Sequence, residues 1–469
     1  MVKKIGPLDI YRLLPQTNCE ICGEKNCMAF ATKLAERTVD LKACTPLYEE
    51  AKYKKNLETL EEMLRPPVRE VSFGAGERAA KIGGKLVMYR HDLRYANPTV
   101  IAIDVTDEMS KKDLEDRVKA VEELGYIYIG KELKLDAIAV RSTSNNPSKF
   151  EKALKIITKN TKLPLVLCSS NPQVIESGLK TVGDRRPLIY AANKDNWFEM
   201  GELAAEYNCP LVVYTQGDLK LLRSLTNTLG KFGIEDLVLD PGTTFSEGLG
   251  NVLDNFTMLR RAATKEDDIL LGYPLMGTPI AVWAGYDGPA DVAKWNEAVL
   301  ASIQIIRFAD ILIMHSLDMW TVLPQMFLRE NLYTDPQKPV DVEPGLRTIG
   351  KPDKKSPVLL TTNFALTYFT VSSDLETAKV NCYLLVTDTE GLSVSSAVAG
   401  RKLTGEIAAE AMKEYDVESK VDHKNIVIPR MASRIRGDLE EASGWSVLVG
   451  PEDSSGIKKF LDQHWNQKD

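Results

Sequence analysis

Hydrophobic and polar positions alternate in blocks along the middle of the chain. Short runs of β-branched and other apolar residues are each followed by a segment in which apolar residues recur every three or four positions. This succession of strand and helix patterns predicts a parallel sheet. The predicted strands are Thr99–Val105, Ala137–Ser142, Pro164–Ser169, Pro187–Ala192, Pro210–Thr215, Asp236–Asp240, Ile269–Tyr273 and Asp310–His315.

The number of these strands decides between two architectures. Eight strands within about 220 residues, joined by mostly helical connectors, predict a TIM (β/α)8 barrel over residues 99–330. An open doubly wound sheet is the alternative.

The barrel is flanked by two further regions. Residues 1–60 form a first unit, with an amphipathic helix predicted over Met28–Glu36, and residues 61–98 link it to the barrel.

Residues 331–357, after the barrel, are rich in proline, lysine and aspartate and predict an extended linker. Residues 358–469 return to strand and helix patterns and predict a small Rossmann-like α/β domain. Its predicted strands are Val358–Thr362, Tyr383–Thr387, Lys424–Ile428 and Ser446–Val449, and its predicted helices are Thr404–Tyr415 and Met431–Ala442.

Composition and charge narrow the class of protein. Hydrophobic residues make up 44% and charged residues 27% of the 469 positions, as in soluble globular proteins. A formal net charge of −7 argues against nucleic acid as a partner. The apolar runs are too short to span a bilayer, and the N-terminus lacks the apolar segment of a signal peptide. We therefore expect a cytoplasmic protein without a membrane partner, whose cysteines are reduced.

Four cysteines near the N-terminus form a candidate metal site. Cys19, Cys22, Cys27 and Cys44 are spaced C-x2-C-x4-C-x16-C, and thiolate sulfur selects zinc or iron–sulfur clusters. Zinc sites usually contain two C-x2-C pairs, and this segment has one. The spacing therefore favours a [4Fe–4S] cluster, with zinc as the alternative.

The strand ends of the C-terminal domain are rich in small and hydroxylic residues. Loops at 361–367, 387–396 and 450–456 follow three of its predicted strands. The carboxyl ends of parallel strands meet at one edge of a sheet, where open α/β folds bind ligands. These loops could hold a large ligand rich in amide groups. Alternatively, their Ser, Thr and Gly residues only form turns and helix caps.

The barrel offers polar strand ends but no clear catalytic pair. His315 ends the eighth strand and could face the barrel mouth or belong to the core, whereas Cys168 and Cys209 are predicted core residues. No nucleophile–base pair can be assigned from spacing, so we name no catalytic residue. The polar residues at barrel strand ends are Asp104, Arg141, Asn193 and Asp240.

Taken together, these motifs resemble the large subunits of corrinoid iron–sulfur proteins, the gamma subunits of acetyl-CoA decarbonylase/synthase complexes. The resemblance covers essentially the whole chain. Ile21 stands where the family commonly has glycine, but this side chain is not a cluster ligand. The strings that carry the resemblance are Leu14–Cys19, Val238–Gly242, Asn331–Gln337, Thr361–Phe364, Gly391–Val394, Gly444-Trp445 and Val449–Pro451.

The resemblance implies a three-domain α/β protein. Its parts would be a small N-terminal [4Fe–4S] domain, a central TIM barrel and a C-terminal cobamide-binding domain. Cys19, Cys22, Cys27 and Cys44 would be the cluster ligands. The implied cobamide contacts are Thr361, Thr367, Gly391, Leu392, Ser393, Val394 and Ser455.

The resemblance also implies a function, that of the methyl carrier of the reductive acetyl-CoA pathway. Co(I) of the cobamide would accept a methyl group from a methyl-tetrahydropterin or methyl-tetrahydrofolate and pass it to the nickel site of acetyl-CoA synthase, or the reverse. The [4Fe–4S] cluster would reductively reactivate Co(II). The chain would thus be a methyltransferase component, a carrier more than a catalyst.

The motif D-x-H-x-x-G, which supplies a histidine to cobalt in other cobalamin proteins, is absent from the sequence. The resemblance therefore implies a base-off cobamide without a protein histidine ligand. The implied partners are a small subunit with a homologous barrel, which would form a heterodimer with this chain, a methyl-pterin or folate methyltransferase, and CO dehydrogenase/acetyl-CoA synthase.

Two other functions remain open. One is an iron–sulfur electron carrier or adaptor that binds no corrinoid. The other is a TIM-barrel methyltransferase that binds the pterin itself through Asp104, Asn193 and Asp240.

Overall fold

The computed structural model describes residues 6–36, 38–245, 247–336 and 338–465. It divides into two compact units. The first comprises the residues up to Gly125 together with Lys134–Tyr333, and the second comprises Tyr126–Leu133 together with the residues from Thr334 on.

The first unit begins with four helices around a small apolar core. The helix predicted over Met28–Glu36 is confirmed, and it begins after Asn26 because the Asn26 side chain accepts the Ala29 N–H at 2.8 Å. Phe30 and Leu34 share the buried face of this helix. The four helices are α1 (Pro7–Tyr11), α2 (Cys27–Ala35), α3 (Thr45–Glu49) and α4 (Lys54–Leu64).

An antiparallel hairpin and a parallel barrel follow. The elements in chain order are β1 (Glu70–Phe73), β2 (Ala80–Gly83), β3 (Val100–Thr106), α5 (Lys111–Glu123), β4 (Gly125–Tyr128), β5 (Lys131–Lys134), β6 (Ala137–Arg141), α6 (Pro147–Asn160), β7 (Leu165–Cys168), α7 (Pro172–Val182), β8 (Leu188–Ala192), α8 (Trp197–Glu206), β9 (Leu211–Tyr214), α9 (Leu219–Lys231), β10 (Leu237–Asp240), α10 (Leu249–Lys265), β11 (Met276–Gly277), α11 (Ala290–Ile306), β12 (Ile311–Met314) and α12 (Met319–Tyr333).

The eight-stranded parallel barrel is confirmed. Its strand order is β10-β9-β8-β7-β6-β3-β12-β11, and a parallel bridge between Leu239 and Leu275 brings the two ends together. One predicted strand, Ile269–Tyr273, is wrong. There the chain turns, because Asp268 accepts the N–H groups of Leu270 and Leu271, and the seventh strand comes later at β11.

The β1–β2 hairpin covers the amino end of the barrel. Val71, Phe73 and Ile82 pack in one cluster with inward-facing barrel residues. The Gly74 N–H donates to the carbonyl of Arg186, which lies just before β8. With the amino end covered, the carboxyl ends of the strands form the open mouth, where TIM barrels bind their ligands.

The second unit is a five-stranded α/β sheet with strand order β13-β15-β14-β16-β17, in which only β13 is antiparallel. The predicted Rossmann-like alternation is confirmed. Its elements are β13 (Gly345–Ile349), β14 (Val358–Thr362), α13 (Ala365–Thr377), β15 (Cys382–Thr387), α14 (Val394–Ala399), α15 (Gly405–Glu414), β16 (Asn425–Ile428), α16 (Arg436–Ser443), β17 (Ser446–Val449) and α17 (Ile457–His464).

Two segments belong to this unit that the sequence pattern did not assign to it, one as a strand of the sheet and one as a separate hairpin. Within residues 331–357, predicted as an extended linker, β13 pairs with β15, and Leu346 lies opposite Leu385. The tip of the β4–β5 hairpin also belongs to the second unit. There Gly130 lies against the Phe369 ring so closely that a Cβ atom would come within 2.0 Å of it. Among the described residues, no helix is long and apolar enough to cross a membrane.

Candidate functional site

The four N-terminal cysteines differ in place and exposure. Cys19 and Cys22 lie in the loop before α2, Cys27 begins α2, and Cys44 directly precedes α3. Cys19 is exposed, Cys22 is half-buried, and Cys27 and Cys44 are buried, all as free thiols. Burial raises the pKa of Cys44, the Leu47 N–H opposes this rise, and the charges of the other three cysteines add to it. Cys27 and Cys44 lie in one apolar cluster and Cys22 packs against it. The four thiols therefore share one neighbourhood, since Asn18, next to Cys19, is hydrogen-bonded to the Cys27 N–H.

The loop that carries Cys19 and Cys22 is tightly wound. The Asn18 side chain accepts the Cys27 N–H at 2.9 Å, which ties the loop to the start of α2. Hydrogen bonds from the Ile21 N–H and from Thr17 lower the pKa of Cys19. The loop also contains several residues in the left-handed conformation, which turns the chain sharply around the cysteines. The left-handed residues are Gln16, Asn18, Glu20 and Gly23, with φ of 56°, 49°, 61° and 82°.

Within the described residues, no three or more His, Cys, Asp or Glu side chains are gathered as ligands of a single metal ion. A cubane requires less convergence, since each thiolate binds a different iron atom. The donor set of four neighbouring thiols therefore fits an iron–sulfur cluster.

A second candidate site is the carboxyl edge of the C-terminal sheet. The chain passes from β14 to β15 on one side of it, and then to β16 on its other side. The topological switch point of the sheet therefore lies between β14 and β16. Thr361 and Thr362 end β14, and both hydroxyl groups are buried without a hydrogen-bond partner in the described part of the chain. A buried hydroxyl normally has a partner, so an unpartnered hydroxyl at this position fits a ligand that supplies one. The two hydroxyls lie on opposite faces of the sheet, because side chains alternate along a strand.

Asn363 organises the loop after β15. Its side-chain oxygen accepts the N–H groups of Thr389 and Gly391 at 2.9 and 3.1 Å and the Thr389 hydroxyl at 2.9 Å. Its amide nitrogen donates to Asp388 at 3.1 Å. One buried amide thus fixes the chain that leads to Leu392 and the residues after it.

The predicted cobamide contacts lie on the loops and helix starts that follow three parallel strands. Thr367 lies in the first turn of α13, after β14, and Ser455 lies after β17, where its N–H donates to Asp453 at 3.0 Å. Gly391, Leu392, Ser393 and Val394 follow β15. At Gly391, φ is 72°, and a Cβ atom would lie 2.9 Å from the Pro339 side chain, so no larger residue fits.

Sequence reasoning missed the loop after β16. Met431 in that loop is 58% exposed, and Leu366, which follows β14 on the other side of the switch point, is 51% exposed. The available signal was an apolar residue three or four positions after the end of a strand. It was hidden because Met431 also matched the predicted helix Met431–Ala442, which the structure replaces with a 3₁₀ segment at Arg430–Ile435 followed by α16.

The histidines of this unit lie away from that edge. His423 precedes β16, and its Nε2 lies 3.0 Å from the Ser356 carbonyl while its Nδ1 accepts the Asn425 N–H at 3.2 Å. Its ring packs against Trp465, the residue after His464. Both histidines therefore lie at the amino-end side of the sheet.

The barrel mouth is organised around Asp104, which is fully buried at the end of β3. Its carboxylate accepts hydrogen bonds from Arg117 at 3.0 Å and Arg141 at 2.9 Å, and His315 Nδ1 lies 2.7 Å from it. Burial would raise the pKa of Asp104, but the His315 hydrogen bond and the two arginines outweigh it and lower the pKa. The structure thus brings three of the predicted strand-end residues together.

A cavity of about 390 Å³ opens at this mouth. Several aromatic rings line it, and the Trp283 ring meets the His315 ring edge-on at 4.7 Å. The indole N–H of Trp283 is buried and has no hydrogen-bond partner among the described residues. The lining also includes Arg141, Cys168, Tyr190, Tyr214, Thr243 and Thr278.

The other barrel residues singled out from the sequence differ in their surroundings. Asn193 lines an adjoining cavity of about 340 Å³. Asp240 is buried beneath Tyr190, whose hydroxyl donates to it at 2.9 Å, and burial raises the pKa of Asp240 to about 7. Cys168 and Cys209 are buried, as predicted for core residues, and burial raises their pKa values to about 12 and about 11.

Comparison with known proteins relates these sites to a family. Residues 70–461 match the family model of the CO dehydrogenase/acetyl-CoA synthase delta subunit, and residues 14–46 match a model of a putative Fe–S cluster. The chain is 46% identical over 467 residues to acetyl-CoA decarbonylase/synthase complex subunit gamma 2 of Methanosarcina thermophila, covering 99% of each chain. The chain belongs to the gamma-subunit family of these complexes, the large corrinoid iron–sulfur subunits.

A second relative agrees with this membership. The gamma subunit of Methanothermobacter thermautotrophicus is 42% identical over 460 residues, which cover 98% of this chain and 99% of the relative. Among solved structures, dihydropteroate synthase from Thermus thermophilus aligns with 56% of this chain and 100% of its own, with 18% identity and a TM-score of 0.39. That structural likeness is too weak to support an inference.

Proposed function

We propose that this chain is the methyl-carrying subunit of its complex and binds a base-off cobamide at the switch point of the C-terminal sheet. The observation that carries the proposal is the pair of unpartnered, buried hydroxyls of Thr361 and Thr362 at the carboxyl end of β14, found among the described residues. Family membership supplies the identity of the ligand. The proposed contacts are those predicted from the sequence, from Thr361 to Ser455, with Leu366 and Met431 added.

A bound cobamide supplies a cobalt ion that accepts and releases a methyl group, and the cluster supplies electrons that keep this cobalt reactive. The residues of this chain would bind the cobamide and shield it. Asn363 holds the loop after β15 in place, and Gly391 allows a close approach of the backbone. Leu366 and Met431 offer apolar cover for a large ring on both sides of the switch point.

Among the described residues of this unit, no histidine is available as an axial ligand at that edge. Both ring nitrogens of His423 are engaged with the backbone at the opposite side of the sheet. This supports a cobamide without a protein histidine ligand.

We further propose that Cys19, Cys22, Cys27 and Cys44 hold a [4Fe–4S] cluster in an N-terminal domain of residues 1–60. The N–H groups of their loop would donate to the cluster sulfurs, which tunes its potential. The proposed partners are a small subunit with a homologous barrel, a methyl-pterin or folate methyltransferase, and CO dehydrogenase/acetyl-CoA synthase.

The test is the metal content of the full chain, purified without oxygen and offered cobamide. We expect about four iron atoms and about one cobalt atom per chain. Cys44→Ser should lose iron and keep cobalt. Cys209→Ser, which changes a buried cysteine outside the cluster segment, should keep both. Iron without cobalt, even with the partner subunit present, would leave an iron–sulfur adaptor as the better description.

The cavity at the barrel mouth favours a second role, binding of the methyl donor. A cavity of about 390 Å³ lined by Tyr190, Tyr214, Trp283 and His315 suits a flat heterocycle such as a reduced pterin. The contacts differ from those suggested by the sequence pattern, because Asp104 and Asp240 are fully buried and already hydrogen-bonded. Binding of a methyl-tetrahydropterin, followed by isothermal titration calorimetry, should weaken in Arg141→Ala. An unchanged affinity would show that the pterin binds elsewhere.

A further inference from the structure

Two cavities adjoin at the barrel mouth, and their linings differ in chemistry. Several aromatic rings line the cavity of about 390 Å³, which we call the aromatic cavity. The cavity of about 340 Å³ shares Arg141, Cys168 and two tyrosines with it, but its other lining residues are mainly polar, and we call it the polar cavity. These polar residues are Ser142, Thr143, Ser169, Ser170 and Asn193. A ligand that fills both cavities must therefore combine a ring with a polar group.

Arg141 lines both cavities and gives the mouth a positive charge. Among the described residues, no Asp, Glu or Lys side chain lines either cavity. Nη1 of Arg141 donates to Asp104 at 2.9 Å, and the side chain is 39% exposed. A guanidinium group carries five N–H donors, so most of those of Arg141 remain available to a ligand.

Two carboxylates lie beside Arg141, and both are already compensated. Asp104 is fully buried and is also paired with Arg117 at 3.0 Å, so two guanidinium groups share its charge. Asp107, whose N–H donates to the Arg141 carbonyl, is buried and accepts five hydrogen bonds from residues 142–144. Neither carboxylate lines a cavity. The mouth therefore favours an anionic group in a ligand over a cationic one.

Asn193 adds a second hydrogen-bond donor to the polar cavity. Its side-chain oxygen accepts the Asp195 N–H at 2.8 Å, which fixes the orientation of the amide. In the described part of the chain, the NH₂ group of this amide has no acceptor. A guanidinium group and an amide NH₂ group on one cavity are suitable donors for the oxygen atoms of a carboxylate or a phosphate.

The aromatic cavity also requires a ligand that accepts hydrogen bonds. The indole N–H of Trp283 is buried and has no acceptor among the described residues. The Tyr190 hydroxyl is already engaged, because it donates to Asp240 at 2.9 Å. A heterocycle with a carbonyl oxygen or an unprotonated ring nitrogen would supply the missing acceptor. The two cavities together therefore suit such a heterocycle when it is joined to an anionic group.

We propose that the polar cavity is an anion subsite, in which Arg141 and Asn193 bind the carboxylate or phosphate group of a ligand whose ring occupies the aromatic cavity. The proposal rests on the second role proposed above, binding of the methyl donor at this mouth. It adds that the anionic part of the donor is recognised, and it makes Asn193 a residue that determines specificity.

The test compares two probes by isothermal titration calorimetry on the full chain. Methyl-tetrahydrofolate carries carboxylates on its tail, and an N-methylated tetrahydropterin without that tail has the same reactive ring and no anionic group. The unchanged chain should bind the first probe about 10-fold or more tightly than the second, as expected for hydrogen bonds to a charged group. Added salt should reduce this preference, since the subsite is partly exposed.

Asn193→Ala should weaken binding of the carboxylate probe by about 10-fold and leave the affinity for the tail-less probe unchanged. Asn160→Ala is the matched control, because Asn160 ends α6 and donates to the Ile156 carbonyl of its own helix at 2.8 Å. It should bind both probes as the unchanged chain does, and circular dichroism should show that both variants are folded. Competition by acetate or by inorganic phosphate then identifies which anion the subsite prefers.

Two results would overturn the anion subsite alone. Equal affinity of the unchanged chain for the two probes would show that the anionic group is not recognised. Equal weakening of both probes by Asn193→Ala would show that the ring, rather than the anionic group, meets Asn193. If neither probe binds, the anion subsite and the binding of the methyl donor are both refuted. Cobalt measured on the same samples tests the methyl-carrier function separately, because the cobamide site lies in the other unit.

Discussion

Thr361 and Thr387 provide a sharp test of the proposed cobamide site, because they differ in whether the hydroxyl has a partner. Both are buried on adjacent parallel strands. The Thr361 hydroxyl has no partner among the described residues, whereas the Thr387 hydroxyl donates to the Thr361 carbonyl at 2.9 Å. Replacing either residue with valine preserves the shape and removes only the hydroxyl.

The two changes should have opposite effects on the cobamide-free chain. A buried, unpaired hydroxyl costs about 1–3 kcal/mol, so Thr361→Val should raise the free energy of unfolding by about 1–2 kcal/mol. Thr387→Val removes a hydrogen bond and should lower it by about 1–2 kcal/mol. The opposite signs, rather than the absolute values, distinguish an empty hydrogen-bonding position from an ordinary core threonine.

Native-state hydrogen exchange of β14 and β15 in the full chain measures this difference locally. Protection in the two variants should differ by about 30- to 1,000-fold. If the cobamide uses the Thr361 hydroxyl, Thr361→Val should also weaken cobamide binding by roughly 3- to 10-fold. If Thr361→Val is destabilised as Thr387→Val is, the Thr361 hydroxyl has a hydrogen-bond partner in the cobamide-free chain. If Thr361→Val is stabilised but binds cobamide with unchanged affinity, the cobamide does not contact this hydroxyl.

Two further predictions concern buried polar groups. Asn363→Ala leaves the N–H groups of Thr389 and Gly391 without their acceptor, and should lower stability by about 3 kcal/mol and reduce cobalt content. Unchanged hydrogen exchange over 387–394 would contradict it. Burial raises the pKa of Asp240 from 3.8 to about 7, so the folded chain keeps a proton that the unfolded chain releases between these values. Stability should therefore fall as pH rises from about 4 to about 7, by at most about 4 kcal/mol, and Asp240→Asn should flatten this dependence in denaturant titrations. An equal slope in the variant would show that Asp240 is not its source.

The strands that the sequence predicted correctly are those with a continuous apolar run. β6 and β12 are buried at nearly every position, so β-branched and other apolar residues fill them without interruption. β11 spans only Met276–Gly277, too short to give a pattern, and the more apolar stretch at Ile269–Tyr273 was predicted instead. β13 was missed because the prolines around it suggested a linker, while its pairing with β15 is a tertiary contact that no local pattern contains.

The sites show the same division between local and distant determinants. The loop of Cys19 and Cys22 and the loops after β14 and β15 are local in sequence, so spacing and composition could single them out as candidates, and the resemblance supplied the ligands predicted for them. The hydrogen bond between His315 and Asp104 joins residues 211 positions apart, and only barrel closure brings them together. The partner of Asp240, Tyr190, lies 50 positions away and left no signal in the sequence.

These contacts also bear on why the barrel offers no evident catalytic residue. Asp104 would be the natural acid or base at the mouth, but two arginines and His315 already occupy its carboxylate. Asp240 is enclosed beneath Tyr190, and the hydroxyl of that tyrosine links it to the cavity lining. The lining groups that can meet a ligand include aromatic rings, His315, the indole N–H of Trp283 and the Arg141 side chain. With both aspartates held by other residues, this lining is suited first to binding and orienting a ligand, which agrees with the proposed function, in which a bound cofactor would supply the chemistry.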